Sequence, residues 1–145
     1  MLFDTQSELD MFINNFSKKS IDNNQSKLTN KEIGLQRGNM FNQEYLPYKN
    51  YVPDKIEALN EKDDLLLKLF ETDFAITDIA LYLDLHSDDN KMYEIYKNYV
   101  ESYEKYKKIY EEKYGPLLQN CTDYSNYQWI KNPWPWDKMG GIKYV

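Results

Sequence analysis

Residues 63–116 contain two long runs in which apolar side chains recur at helical spacing, joined by a short acidic turn. In the first run, at about 100° per residue, these side chains fall on two nearly opposite sides of a helix. One side holds Leu65, Leu69, Ile76, Ile79 and Leu83, and the other holds Leu67, Phe70, Phe74, Leu81 and Leu85. A surface helix normally has one apolar side, because its other side faces water. This helix therefore needs two covers, and that requirement constrains the fold of the whole chain.

Polar side chains occupy the two strips between these apolar sides. Asp73, Thr77 and Asp84 lie in one strip, and Glu71, Asp78 and Tyr82 lie in the other. We expect the helix to begin at Asp63 or Asp64, because a carboxylate there can accept hydrogen bonds from the first turn. The region is strongly acidic, since residues 61–90 hold nine acids and two lysines, a net charge of −7.

The second run has one apolar side, built mostly from tyrosine. Its residues step by four and three positions, the spacing of a two-helix seam: Met92, Tyr96, Tyr99, Tyr103, Tyr106 and Tyr110. The opposite side is charged, includes Glu111, and is expected to face water. Ser87 or Asp88 can cap this helix, and the Gly-Pro pair at residues 115–116 ends it. Because the turn is short and the helices are similar in length, we expect an antiparallel hairpin over residues 62–116.

The segments before the hairpin have a different character. Residues 1–34 predict a mobile tail, because their polar composition has little to bury. A short apolar stripe lies within it, at Leu9, Phe12, Ile13 and Phe16. This stripe is either a frayed end or a docking peptide that folds on a partner. Residues 35–61 are broken by glycine and proline and predict an extended aromatic strap, which lies across the hairpin or reaches a partner.

The C-terminal segment, residues 117–145, is rich in tryptophan and proline. Pro133 and Pro135 prevent a helix beyond Asn132. The segment holds all three tryptophans of the chain, Trp129, Trp134 and Trp136. It cannot bury three indoles by itself, so we expect them to dock on the hairpin or on another protein. The predicted fold is all-α: a long antiparallel helical hairpin with extended aromatic N- and C-terminal segments.

Composition narrows the classes of partner. With 18 basic and 24 acidic side chains the net charge is −6, which argues against a nucleic-acid surface. The 14 tyrosines suit half-buried interfaces, because each ring brings contact area and a hydroxyl that needs a partner. No run approaches the ~20 apolar residues of a membrane span. The first residues lack the basic start of a secretory signal, so we expect a protein made in the cytoplasm with no membrane partner.

No arrangement of catalytic side chains is evident in the sequence. His86 and Cys121 are the single residues of their types and are far apart, and there is no phosphate loop or nucleophile elbow. The one cluster with metal-ligand side chains consists of Asp84, His86, Asp88 and Asp89. Capping of the second helix explains this cluster without a metal. We expect no catalytic residues, no bound metal and no cofactor.

Three pieces of the sequence carry a family resemblance. They are FAITDIALYLDLHSDD at residues 74–89, YGPL at 114–117 and WIKNPWPWD at 129–137. In this order and spacing they resemble the CotJB family of bacterial spore coat proteins. Ser87 stands where that family usually has proline, and Asp137 where it usually has glutamate. The segment 38–48 is similar, over a short match, to the end of the small companion protein CotJA.

The resemblance implies a non-enzymatic structural or assembly protein, made in the mother cell and deposited in the spore coat. It implies two partners, a small CotJA-like protein and a CotJC-like protein similar to manganese catalases, in a hetero-oligomer. Any manganese then belongs to the catalase-like partner. We expect the partner to contact Phe70, Phe74, Leu81, Leu85, Trp129, Trp134 and Trp136. Two alternatives stay open: a redox or metal-dependent enzyme accessory, and coat material cross-linked through its tyrosines.

Overall fold

A computed structural model describes residues 27–49, 51–130 and 143–144. Within these residues the chain forms three helices and two short strands. In chain order they are α1 (Lys31–Arg37), β1 (Ile56–Glu57), α2 (Glu61–Leu85), α3 (Asn90–Tyr114) and β2 (Lys143–Tyr144). The mostly helical architecture predicted from the sequence is confirmed, and α2 and α3 are the two arms of the predicted hairpin.

The antiparallel hairpin is held together at its open end and along its length. Near the open end, Lys113 Nζ lies 2.6 Å from Glu61 Oε1, so the last turn of α3 meets the first turn of α2. Along the seam, one buried cluster joins the two helices: Leu65, Leu69, Tyr106, Ile109 and Tyr110. Burial of each large side chain contributes on the order of 1.5–3 kcal/mol. Of the six residues in the predicted seam, Tyr106 and Tyr110 belong to this cluster and Tyr103 packs against it.

Both helices begin at different caps from those predicted. The side chain of Asn60 accepts a hydrogen bond from the Asp63 N–H at 2.9 Å, so α2 starts before Asp63. At the turn, Asp89 Oδ1 accepts from the Met92 N–H at 3.0 Å, in place of Ser87 or Asp88. Several side chains near the start of each helix could serve as its cap. The backbone geometry at that point decides which of them accepts the hydrogen bond.

Residues 27–42 form a folded unit, whereas their composition favoured a disordered tail up to residue 34. Asn30 caps α1, and Gly38 ends it with a positive φ of 74° that glycine adopts without strain. An antiparallel bridge between Leu28 and Phe41 then closes the ends of the unit. Local capping and one bridge shape this segment, and its packing on α2 provides the burial that its own composition lacks.

Beyond residue 42, only a short part of the strap forms regular structure. Residues 43–49 and 51–55 contain neither helix nor strand, and Leu46, Tyr48 and Val52 are largely exposed. Further along, β1 pairs antiparallel with β2, with Ile56 opposite Tyr144. This pairing brings the C-terminal end of the chain back beside the start of α2. It is a small β element that the all-α prediction did not include.

Candidate partner-binding surface

Helix α2 has three sides in the structure, of which two are covered. One side packs against α3 through the tyrosine seam. A second side receives the folded unit of residues 27–42. The third side is the second apolar stripe, much of which is exposed. The sequence demanded a cover for each apolar side, but α3 covers only one of them. Residues 27–42 lie on the neighbouring polar strip, and much of the second apolar side stays exposed.

An ion pair fixes the start of α1 on α2. Lys31 Nζ lies 2.9 Å from Glu71 Oε2, with the two side chains 16% and 8% exposed. The ammonium also lies 5.5 Å from the centre of the Tyr106 ring, so it contacts both arms of the hairpin. Burial raises the pKa of Glu71, and the nearby Lys31 charge opposes that rise. Removal of the lysine would leave a carboxyl group buried without its cation.

A second anchor follows α1, at Met40 and Phe41. The Met40 N–H donates a hydrogen bond of 2.7 Å to Asp78 Oδ2, and the Met40 side chain is fully buried. Gly34 makes room for it, because a Cβ atom at that position would clash with the Met40 sulfur. The Phe41 ring stacks on Tyr82 with centroids 5.0 Å apart. The polar strip of α2 noted in the sequence is therefore a docking site for the chain's own N-terminal region.

The hairpin turn is organised by Asp89. Its carboxylate caps α3, accepts a hydrogen bond of 3.1 Å from the Tyr82 hydroxyl and lies 3.5 Å from Lys27 Nζ. The Met92 N–H, and after it Tyr82 and Lys27, lower the pKa of Asp89, although partial burial opposes them. The His86 ring lies 4.3 Å from that of Tyr82. Each of these contacts helps to fix the end of the hairpin.

The other candidates for metal ligation in the turn stay apart. Asp84, His86 and Asp88 are exposed. Among the residues that the structure describes, no three His, Cys, Asp or Glu side chains are grouped so that they could hold a metal ion. Cys121 is a free, half-buried thiol in the segment after α3. No helix in the described part of the chain is long and apolar enough to cross a bilayer.

The third side of α2 is an apolar stripe, which we call the open face: Leu67, Phe70, Phe74, Leu81 and Leu85. Phe70, Leu81 and Leu85 are 48%, 60% and 83% exposed, and the other two residues are half-buried. The stripe runs along the helix for about 27 Å, at 1.5 Å per residue. Four of the predicted partner-binding residues therefore lie along one side of α2.

The structure describes only one of the three tryptophans. Trp129 is half-buried, while Trp134 and Trp136 lie outside the described residues. The segment leading to Trp129 folds back on the end of α3, where the Tyr124 hydroxyl donates 2.5 Å to the Glu111 carbonyl. The Glu111 carboxylate accepts from the Leu117 N–H at 3.1 Å and the residue is only 8% exposed. The prediction that Glu111 faces water is wrong, because the following segment covers it.

The pKa values of several seam tyrosines are raised. Burial, together with the Glu71, Asp64 and Glu32 carboxylates, raises the pKa of Tyr106 to about 12. Burial is also the main cause of the raised pKa of Tyr99. A phenol in this environment stays protonated at any physiological pH. Tyr99 and Tyr106 therefore serve as packing residues and do not supply reactive phenolates.

Sequence reasoning placed Met40 in the strap that lies across the hairpin or a partner, but it missed Lys31 and Gly34, which also dock the N-terminal unit. A usable signal was present on the other partner. Glu71, Asp78 and Tyr82 occupy one strip of a helix whose neighbouring strips are apolar, and such a strip is a candidate for polar docking contacts. The segment that supplies these contacts has no apolar period of its own, so the pattern alone could not identify it.

The comparisons with known proteins agree with the resemblance of the three sequence pieces. A family model described as CotJB protein matches residues 63–137, just over half of the 145 residues. The match spans α2, the turn, α3 and the C-terminal segment as far as Asp137. No curated protein and no solved structure matches the chain.

Proposed function

Because the chain belongs to the CotJB family of spore coat proteins, we propose that it is a non-enzymatic structural component that binds other coat proteins. The observation that carries this proposal is the open face, where three large apolar side chains remain exposed on an otherwise well-packed hairpin. Contiguous apolar surface of this kind is typical of protein interaction sites.

We propose two partners, both implied by the family resemblance. One is a CotJC-like coat protein similar to manganese catalases, and the other is a small CotJA-like protein. Together they would form a hetero-oligomer deposited in the spore coat, without nucleic acid or membrane. The acidity of α2 and the turn supports protein partners over nucleic acid, because a phosphate backbone would be repelled there.

The proposed contact surface combines the open face with the C-terminal tryptophans. Phe70, Phe74, Leu81 and Leu85 supply a long apolar stripe. The tryptophans supply large aromatic anchors, which often dominate the binding energy of interfaces: Trp129, Trp134 and Trp136. Pairing of β1 with β2 returns the end of the chain to the start of α2, which favours tail and stripe acting on the same partner.

Co-expression with the catalase-like coat protein, followed by size-exclusion chromatography, tests this proposal. Replacement of Trp134 and Trp136 by alanine should weaken co-purification tenfold or more, or about 1.4 kcal/mol. Helicity measured by circular dichroism should stay unchanged. The matched control is Tyr93→Ala, which removes an aromatic residue, 48% exposed, from the start of α3. If the double tryptophan variant lost its helices, the tryptophans would belong to the core. If it kept full binding, the tail would not be part of the interface.

Metal analysis of the purified chain, without partners, separates this proposal from a metal-dependent accessory role. The proposal expects no stoichiometric metal, and a metal lost on His86→Asn would favour the accessory. Oxidative cross-linking would have to use more accessible tyrosines, such as Tyr48, Tyr51 and Tyr93, since Tyr106 and Tyr110 of the seam are buried. Mass spectrometry of the protein recovered from coats would detect such links.

A further inference from the structure

The open face has the dimensions of a helix-binding site. Its residues recur at steps of three, four and seven positions, which places them in a nearly straight row along α2. The row extends about 27 Å, the length of an ~18-residue helix. Within the described residues, α3 and the unit of residues 27–42 pack on the other two sides. A helix laid along the row would bury Phe70, Leu81 and Leu85 together.

From residue 69 onward, the charged side chains that α2 itself places beside the open face are all acidic. Asp73 and Asp84 are exposed and lie in the polar strip along one edge of the row. Along the other edge, Glu71 and Asp78 are occupied by Lys31 and the Met40 N–H. The bases of α2 are confined to its first two turns, where Lys68 Nζ lies 2.5 Å from Asp64. From residue 69 to the end of α2 the sequence contains no base.

We propose that the open face binds an amphipathic helix of a partner coat protein whose apolar stripe is flanked by Lys or Arg. This inference rests on the proposed function and adds the chemistry of the segment that docks. Cationic side chains at the flanks would meet Asp73 and Asp84 once the apolar stripes are in contact. Such pairs orient the helix and exclude partners with acidic flanks, while the apolar row supplies the affinity.

The same charges disfavour two other occupants. A second copy of the chain would bring its own Asp73 and Asp84 to the seam and place acids against acids. Residues 1–26 have an apolar stripe, but they hold four acids and two lysines, a net charge of −2. Both of these occupants would add negative charge to an acidic edge. A basic partner helix relieves that repulsion.

The test uses the full chain and two fluorescein-labelled synthetic peptides of ~18 residues, the length that covers the row. The peptides share one leucine stripe and differ only in their flanking residues, which are lysine in one and glutamate in the other. Fluorescence anisotropy at physiological salt should show the lysine peptide binding at least tenfold more tightly. Phe70→Ser combined with Leu81→Ser should weaken that binding at least tenfold.

Two charge-reversed double variants locate the electrostatic part of the binding. Asp73→Lys with Asp84→Lys should weaken the lysine peptide tenfold or more and strengthen the glutamate peptide. Glu104→Lys with Glu112→Lys changes the net charge equally at exposed sites of α3, and should leave both affinities within about twofold. Equal effects of the two variants would reduce the binding to nonspecific charge attraction and overturn the proposal.

Three other results would also overturn it. Binding that appears only after deletion of residues 1–26 would assign the open face to the chain's own N-terminal segment. A dimer in sedimentation equilibrium that Leu81→Ser dissociates would assign it to a second copy. If the lysine peptide did not bind, a basic helix would be excluded as the occupant of the open face. Co-purification with the catalase-like protein is measured in a separate experiment, so a coat-binding role through other residues can stand even where the basic helix fails.

Discussion

Tyr106 is the residue at which the three packed parts of the molecule meet. Its ring belongs to the buried cluster that joins α3 to Leu65 and Leu69 of α2. The Lys31 ammonium of the N-terminal unit lies 5.5 Å from the centre of the same ring. The hydroxyl is enclosed near the Glu71 and Asp64 carboxylates, and for that reason its pKa is raised to about 12.

The raised pKa of Tyr106 predicts a loss of stability in alkali. Between its unfolded pKa of about 10 and its folded pKa of about 12, the unfolded chain releases the proton and the folded chain keeps it. Stability is therefore fully present below pH ~10 and falls above it by about 1.4 kcal/mol per pH unit. Urea unfolding at pH ~9 and ~11 should show a steeper loss for the natural chain than for Tyr106→Phe. Equal slopes would mean that other tyrosines carry the effect.

Gly34 provides a second prediction for a single residue. A methyl group at this position would clash with the sulfur of Met40, which is fully buried and has little room to move. Gly34→Ala should therefore lower the free energy of unfolding by about 1–3 kcal/mol, although alanine is the better helix former. Gln36→Ala, in the same short helix, should change it by less than ~0.5 kcal/mol. A stabilised Gly34→Ala variant would mean that the Met40 contact is loose.

At the level of elements, the hairpin was predictable and the N-terminal unit was not. The two apolar sides of α2 and the tyrosine period of α3 are long, regular signals, and helices appear where those signals lie. Residues 27–42 dock through an ion pair, a backbone hydrogen bond and one buried Met40. Such contacts have no period along the chain and depend on the partner's position in space. Composition alone therefore favoured disorder for residues up to 34.

We expect the Lys31–Glu71 ion pair to hold residues 27–42 against α2. Lys31→Met leaves Glu71 buried without its cation, which costs about 3–5 kcal/mol when a buried pair is broken. Adding Glu71→Gln removes the isolated charge and should recover most of the loss. Denaturant unfolding measures both variants, and limited proteolysis of residues 27–42 reports whether the unit has detached. A double variant as unstable as Lys31→Met would show that shape, and not charge, holds α1 in place.

For the whole molecule, the open face is surface that a hairpin does not need for its own stability. The sequence identified its five residues, because an apolar stripe on a helix is visible from spacing alone. The expectation that a partner contacts Phe70, Phe74, Leu81 and Leu85 left the opposite apolar side for α3, although both sides have similar size and period. That choice follows from the tyrosine seam and from the docking of residues 27–42 on the neighbouring polar strip.

Replacement of two open-face residues should therefore change surface behaviour without changing stability. Leu81→Ser with Leu85→Ser should reduce binding of a hydrophobic dye and self-association of the isolated protein. The free energy of unfolding should stay within ~0.5 kcal/mol, as for other surface substitutions. Leu46→Ser, at a residue 88% exposed in the strap, is the control and should alter dye binding less. A large loss of stability would mean that the face is covered within the chain.

The unit of residues 27–42 leaves the ribosome before the surface on which it folds. Lys31 and Glu71 are 40 positions apart, and Ile56 pairs with Tyr144 across a still longer loop. Contacts between α2 and α3 can start beside the turn and extend toward the open end, so each further contact closes only a short additional loop and the hairpin can form quickly. We therefore expect the hairpin to form first, so that the rest of the chain packs on it. Residues 27–42 therefore stay unpacked until α2, on which they dock, has emerged.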